Sequence, residues 1–321
     1  MNKRQLIACV TSVLVALVVG YVVGNAGLTR ASPSQESRLQ GYSNGLTNPL
    51  LECSELSEEL SIGDRVKTES EIRTYVAAAE DEGMITAVAV YFRDLNNGPW
   101  FGINERQLFT PGSLLKVPLA LSYYHEDRAR LDQEIEFSGG GVVVAEEREF
   151  GSAEPLAPGN YTIQELVGYM LRDSNNDAAA VLSQVAGEQQ VLSTYTDLGI
   201  TPPAYGRDYQ IDVKTFGAFF RVLFNASYVG QQGSEELLGY LTDSSFTGGL
   251  RAGVPTDVRV AHKFGVRSVS GTEKKQLHDC GIVYAENSPY ILCVMTQGRD
   301  FDALAQFIAE VSRRVHTSVV Q

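Results

Sequence analysis

The stretch Pro111-Gly112-Ser113-Leu114-Leu115-Lys116-Val117 decides how the rest of the chain is read. A Pro-Gly pair breaks whatever precedes it, and the apolar pattern that follows starts a helix. A spacing of three puts Ser113 and Lys116 on one face of the first turn. A serine hydroxyl is a poor nucleophile until a base takes its proton. A buried lysine near other cations can lose its own proton and serve as that base. Unpaired N–H groups at a helix start favour developing negative charge. Taken alone, the same residues also describe an exposed lysine on an ordinary amphipathic helix, and Pro118 sits awkwardly inside it because proline lacks a donor.

Two other clusters stand out downstream. Ser174-Asn175-Asn176 separates helices expected over 162–172 and 176–185, so it could offer a hydroxyl and a carboxamide to a cleft. Plain helix capping uses the same residue types. Lys263-Phe264-Gly265 closes an apolar strand expected over 258–264. A lysine beside glycine at a strand end suits a ligand that approaches the backbone closely; it equally suits an edge charge that discourages aggregation.

Working outward, Thr68-Glu69-Ser70-Glu71 opens a helix that stops at Gly83, followed by strands at 85–92 and 100–103 around Asn97-Gly98. Helical patterning runs from Thr110 to about Asp177, broken by loops at 139–141 and 155–160, with an apolar turn at 141–145. Further helices are expected at 189–198, 212–224 and 234–241. Strands follow at 277–285 and 290–297, and a closing helix at 301–315. Strands at both ends with helices between them give an α+β domain: a five-stranded antiparallel sheet flanked by helices, plus a helical lobe. The crevice between sheet and lobe is the expected site.

The three clusters in this order, Ser-x-x-Lys, Ser-x-Asn and Lys-x-Gly on a late strand, resemble the signature of class A β-lactamases and penicillin-binding proteins. The resemblance covers about 71–315. It implies that Ser113 becomes acylated, Lys116 activates it, and Ser174 relays the proton to the leaving nitrogen. It also implies that Asn176 binds the substrate amide and Lys263, beside Gly265, holds a substrate carboxylate. The backbone N–H groups of Ser113 and Val266 would form the oxyanion hole. The expected enzyme is a serine hydrolase without metal or cofactor, monomeric, acting on a β-lactam or a D-Ala-D-Ala-type peptide of the peptidoglycan stem. The alternative is a penicillin-binding sensor or cell-wall module with slow or absent deacylation.

The chain departs from that pattern in three places. Asn175 replaces an aspartate. Phe264 replaces a residue whose hydroxyl would help bind a carboxylate, with Arg267 and Thr272 the nearby candidates to compensate. No glutamate occurs between Gln189 and Gly233, where class A enzymes keep their deacylating base, and Asp208, one methylene shorter, is the acid at hand.

The remaining features bound the setting. A net charge of −13 argues against a nucleic-acid partner. Cys9, Cys53, Cys280 and Cys293 match no zinc spacing; Cys280 and Cys293 flank an expected hairpin turn, so either a cross-strand bridge or two buried thiols is open. Lys3 and Arg4 precede the apolar run Leu6–Gly24, long enough to cross a bilayer core. The expected layout is a cytoplasmic 1–4, a membrane anchor or cleavable signal at 5–25, a linker at 26–64, and the hydrolase domain at 65–321. That places the domain outside the cytoplasm, tethered to the cell membrane or secreted. A Ser-His-Asp hydrolase is disfavoured: of four histidines, His262 and His278 fall on strands and read as structural. No phosphate loop or dinucleotide fingerprint is present.

Overall fold

The last third of the chain supplies the middle of the sheet. In the computed structural model, which describes residues 45–48, 62–96, 98–126, 128–140, 150, 155–203, 209–269 and 271–320, all within one unit, Gly45–Gln321, five antiparallel strands follow the order β2-β1-β9-β8-β7. They are β1 (Ala87–Asp94), β2 (Trp100–Ile103), β7 (Arg259–Ser268), β8 (Lys275–Tyr284) and β9 (Tyr290–Gly298). The expected α+β architecture is therefore present.

Both faces of this sheet are covered, which is why Tyr290–Met295 of β9 and Cys280–Tyr284 at the end of β8 read as continuous apolar runs rather than alternating ones, while the first half of β8 buries Gln276, His278 and Asp279. One face presents Ala261, Ile282, Ile291, Met295 and Ala89 to the helical lobe. That lobe contains α2 (Lys116–Glu126), α3 (Ile163–Arg172), α4 (Asn176–Asp197), α5 (Val213–Phe224) and α6 (Gly230–Thr242). The other face presents Val88, Val90, Phe264, Leu292 and Val294 to the terminal helices, α1 (Ile62–Asp81) and α8 (Phe301–Val319). Between α6 and β7 lies the single turn α7 (Gly249–Ala252). Local chemistry sets the helix starts. Thr162 and Glu165 form a reciprocal capping box on α3, and Asn175, Asp212 and Asp300 cap α4, α5 and α8 through their side chains.

Several boundaries differ from the expected ones. Helix α1 begins at Ile62, ahead of the acidic cap at Thr68. The helices expected at 176–185 and 189–198 form one run, interrupted at Gly187, whose φ of 71° no regular helix contains. Two short ladders lie in the stretch expected to be helical or just beside it: β3 (Leu108–Phe109) with β6 (Ile211–Asp212), and β4 (Glu134–Phe137) with β5 (Gly159–Thr162). They are too short to carry a readable period. The turn expected at 141–145 lies outside the described residues, as do Cys9 and Cys53. Cys280 and Cys293 face each other across β8 and β9 as buried free thiols.

Gly45–Asn48, inside the stretch expected as linker, is held against the domain. Glu235 of α6 accepts from Leu46 N (2.8 Å), Thr47 N (2.8 Å) and Thr47 Oγ1 (2.5 Å). Tyr284 donates to Leu46 O at 2.8 Å, and Asn48 N to Phe224 O at 2.7 Å. Among the described residues no helix is long and apolar enough to cross a membrane; the run at 5–25 lies outside them.

Candidate active site

Ser113 lies in a 3-10 turn, Gly112–Leu115, that leads directly into α2 at Lys116. Pro118 is therefore in the first turn of the α-helix, where its missing N–H has no intrahelical partner to lose. The turn is pressed against β7. A Cβ on Gly265 would stand 2.5 Å from Pro111 O and 3.2 Å from Ser113 N, so no side chain fits there. Gly112, at φ 55°, faces Val266: a Cβ on it would meet Val266 O at 3.1 Å and Val266 N at 3.6 Å. Two glycines thus let the backbones of Ser113 and Val266 approach each other. Strand β7 runs on to Ser268 instead of stopping at Phe264, so Lys263, Gly265 and Val266 all lie within it.

The upstream chain is fixed by His278. Thr296 N donates to its Nδ1 at 3.1 Å, which makes Nε2 the protonated nitrogen, donating to Thr110 O at 3.1 Å. Burial pulls the pKa of this imidazole down to about 4, so it stays neutral. The residue is structural, as its place on a strand implied, and its contact with Thr110 also makes it a support of the Ser113 turn. His262 is structural too, buried and bonded through Nδ1 to the Asp279 carboxylate at 2.9 and 3.0 Å.

Ser174 sits between α3 and α4 with φ at 53°, an uncommon conformation for a residue with a Cβ, and it is fully buried. Both lysines converge on its hydroxyl: Lys116 Nζ at 3.0 Å and Lys263 Nζ at 2.8 Å. Lys116 also donates to Ser174 O (2.5 Å) and Asn176 Oδ1 (2.7 Å). At 6 % and 0 % exposure, these two lysines are buried, and each amino group is held by oxygen acceptors as a buried polar group requires. Asn175 points elsewhere and caps α4 through Ala178 N. Asp173 lies close enough to feel Lys263. Burial raises its carboxyl pKa, while Arg172 and Lys263 pull it back.

Phe264, where a hydroxyl was missing from the pattern, is fully buried. Its ring centre is 4.1 Å from Lys263 Nζ and 4.5 Å from the Phe246 ring. Phe150 adds a third ring against both. Of the two candidates to replace the hydroxyl, Thr272 is exposed in a turn and donates to Val269 O, while Arg267 is partly exposed on β7. Asp208 lies outside the described residues. No group of three or more potential metal ligands occurs among the described residues.

The geometry just described is that of a chain whose residues 67–319 match the model of the beta-lactamase enzyme family. The chain belongs to that family. It is a serine hydrolase of β-lactamase-like type, and its solved neighbours share the fold. A β-lactamase from Chitinophaga pinensis superposes with a TM-score of 0.66 at 20% identity, over 78% of this chain and 99% of that one. TLA-3 extended-spectrum β-lactamase gives 0.69 at 16%, over 80% and 100%. A PBP-A variant, solved as an acyl-enzyme complex with penicillin G, gives 0.64 at 16%, over 79% and 96%. No curated protein matches the chain in sequence.

Proposed function

We propose that the enzyme forms an acyl-enzyme on Ser113, with a β-lactam or a D-Ala-D-Ala-type peptide amide as substrate. The observation that carries this reading is the meeting of Lys116 and Lys263 on the Ser174 hydroxyl, at 3.0 and 2.8 Å. Lys116 in its neutral form takes the proton from Ser113 Oγ as that oxygen attacks the carbonyl carbon. The backbone N–H groups of Ser113 and Val266 stabilise the oxyanion, a contribution of ~10²–10³ in rate per donor. Ser174 gives its hydroxyl proton to the departing nitrogen as the C–N bond breaks and is reprotonated from Lys116. Lys263 holds Ser174 in place, and Asn176 is positioned to bind the substrate amide. The N-terminal segment 5–25 carries the domain to the outer side of the cell membrane, where such substrates occur.

The missing glutamate favours a second reading, in which the acyl-enzyme hydrolyses slowly and the protein acts as a penicillin-binding enzyme or sensor. From Gln189 to Gly233 no glutamate is available to position the attacking water. Intact mass after addition of benzylpenicillin, followed over time, tests both. A penicilloyl adduct that is absent in Ser113→Ala is the expected result. Its persistence supports slow deacylation, its decay with accumulation of hydrolysed drug supports a β-lactamase, and an adduct retained in Ser113→Ala sinks the assignment of the nucleophile.

A further inference from the structure

We infer that Cys280 and Cys293 are a disulfide site, and that in an oxidising compartment a covalent bond joins β8 to β9 in the row of the sheet that holds Lys263. The two residues are partners in the β8–β9 ladder and lie buried as free thiols. Which kind of partners they are follows from their neighbours. Thr296 N donates to His278 Nδ1 at 3.1 Å, so its N–H points from β9 towards β8. Gln297 O accepts from Thr86 N at 2.7 Å, so the next residue points the other way, towards β1. These directions alternate along a strand. Thr296 and Val294 are therefore the residues hydrogen-bonded to β8, opposite Leu277 and Asp279, and Cys293 with Cys280 is a non-hydrogen-bonded pair. Side chains approach closest at such pairs, whose Cα atoms stand about 4.5 Å apart. A disulfide spans roughly 4.4–6.8 Å between Cα atoms, so the bond fits the strands where they lie.

The two thiols already interact. Burial pushes the Cys280 thiol well above its ordinary pKa, and a hydrogen bond with the Cys293 side chain adds to the rise. In the finished fold both are inert, because the thiolate is the reacting species and neither residue has exposed surface. The bond therefore forms during folding, while the strands still open and close. One cysteine thiolate attacks an oxidant that is itself a disulfide, protein or small molecule; a mixed disulfide forms and one thiol leaves. The second cysteine attacks the mixed disulfide, the Cys280–Cys293 bond forms, and the second thiol leaves. The two cysteine protons end on the two departing thiols, and the oxidant takes the two electrons. Outside the cytoplasm, the setting proposed above for this domain, disulfides form and persist. Lys263 is registered opposite Cys280, and Tyr91 opposite Cys293, so the bond ties the strand beside Lys263 to the middle of the sheet.

The test refolds the reduced, full-length protein in a mixture of reduced and oxidised glutathione, blocks the remaining thiols with N-ethylmaleimide, and maps an unreduced digest by mass. The expected product is a linked peptide pair containing Cys280 and Cys293. The thermal unfolding midpoint of the bonded protein should lie about 5 °C or more above that of the thiol form, the effect of closing a loop of this length in a domain of this size. In the double variant Cys280→Ala, Cys293→Ala the midpoint should not respond to oxidant, which separates this bond from any made by Cys9 or Cys53. Recovery of both residues as maleimide adducts, or of either one joined to Cys9, Cys53 or glutathione, overturns the inference. An equal midpoint in the bonded and thiol forms overturns the fit of the bond to the native strands. Where the reduced chain does not refold, the same glutathione mixture is applied to folded protein in urea just below its unfolding midpoint, where the strands open transiently, and the same two readings decide. Neither reading involves acylation, so the outcome is independent of the assignment of Ser113.

Discussion

Ser174 and Glu235 each gather hydrogen-bond donors onto one side chain, and they differ in what the donors are. At Ser174, two lysines from positions 58 and 89 residues away converge on a hydroxyl that no water reaches. At Glu235, three donors from residues 46 and 47 converge on a partly buried carboxylate. The first gathers two buried amino groups, which is costly in stability and useful for moving protons. The second gathers backbone amides and a hydroxyl around an anion, which fastens a segment and moves nothing. If this contrast is right, disturbing the first changes rate and disturbing the second changes stability.

The largest effect should follow Lys116→Ala. Loss of the base is expected to slow acylation of Ser113 by penicillin about 10²–10⁴-fold, the usual worth of general base catalysis. Stopped-flow or timed intact-mass measurements would read it. A rate within a factor of about three of the unaltered protein, far below that range, would mean that another group removes the Ser113 proton, and the knot at Ser174 would then be a fastening like the one at Glu235.

His278 marks an intermediate case: a buried titratable group bonded to Thr110, just before the Ser113 turn, that supports the fold by staying neutral. Its folded-state pKa is depressed to about 4 from 6.5 by burial. Below about pH 6.5 the unfolded chain binds a proton that the fold refuses, so stability falls with pH until about 4. The loss attributable to this residue is roughly 3 kcal/mol over that window, since each tenfold change in proton affinity is worth ~1.4 kcal/mol. Urea unfolding at pH 6.5 and pH 4 should show it, and His278→Gln should flatten the difference. An equally steep fall in the variant would assign the acid sensitivity to other groups.

The two places were not equally legible in the sequence. Ser113, Lys116, Ser174, Asn176, Lys263, Gly265 and Val266 are legible as candidates through the order of three motifs that resemble a family signature; each motif alone also fits an ordinary helix face, a helix cap or a strand edge. The sheet was readable for a different reason: Cys280–Tyr284 of β8 and Tyr290–Met295 of β9 are apolar runs on either side of the turn Glu286-Asn287-Ser288-Pro289. The extension of β7 through Gly265 was hidden, since glycine ordinarily weakens a strand. It is tolerated here because the Ser113 turn occupies the space of a side chain. The contact of His278 with Thr110, 168 residues apart, left no local trace. Nor did the binding of Leu46 and Thr47 by Glu235, since a stretch rich in Gly, Ser and Asn reads as a linker whether or not a distant carboxylate captures it.

That capture supplies the smallest and most discriminating change. Glu235→Gln keeps the shape of the side chain, removes the charge, and converts one acceptor oxygen into a donor that faces the N–H groups of Leu46 and Thr47. Hydrogen bonds to a charged acceptor are worth ~1.5–3 kcal/mol when sheltered, and the partial exposure of this carboxylate lowers that, so a loss of about 1 kcal/mol is expected. Released from Glu235, the backbone around Leu46 should also become more open to proteolysis, because a protease needs an extended, unbonded segment. Acylation of Ser113 should proceed at the unaltered rate. A variant that is as stable and as protease-resistant as its parent would show that Leu46 burial and the Tyr284 and Phe224 contacts hold the segment without the carboxylate. A variant that acylates more slowly would break the contrast itself, since the fastening at Glu235 would then reach the chemistry at Ser174.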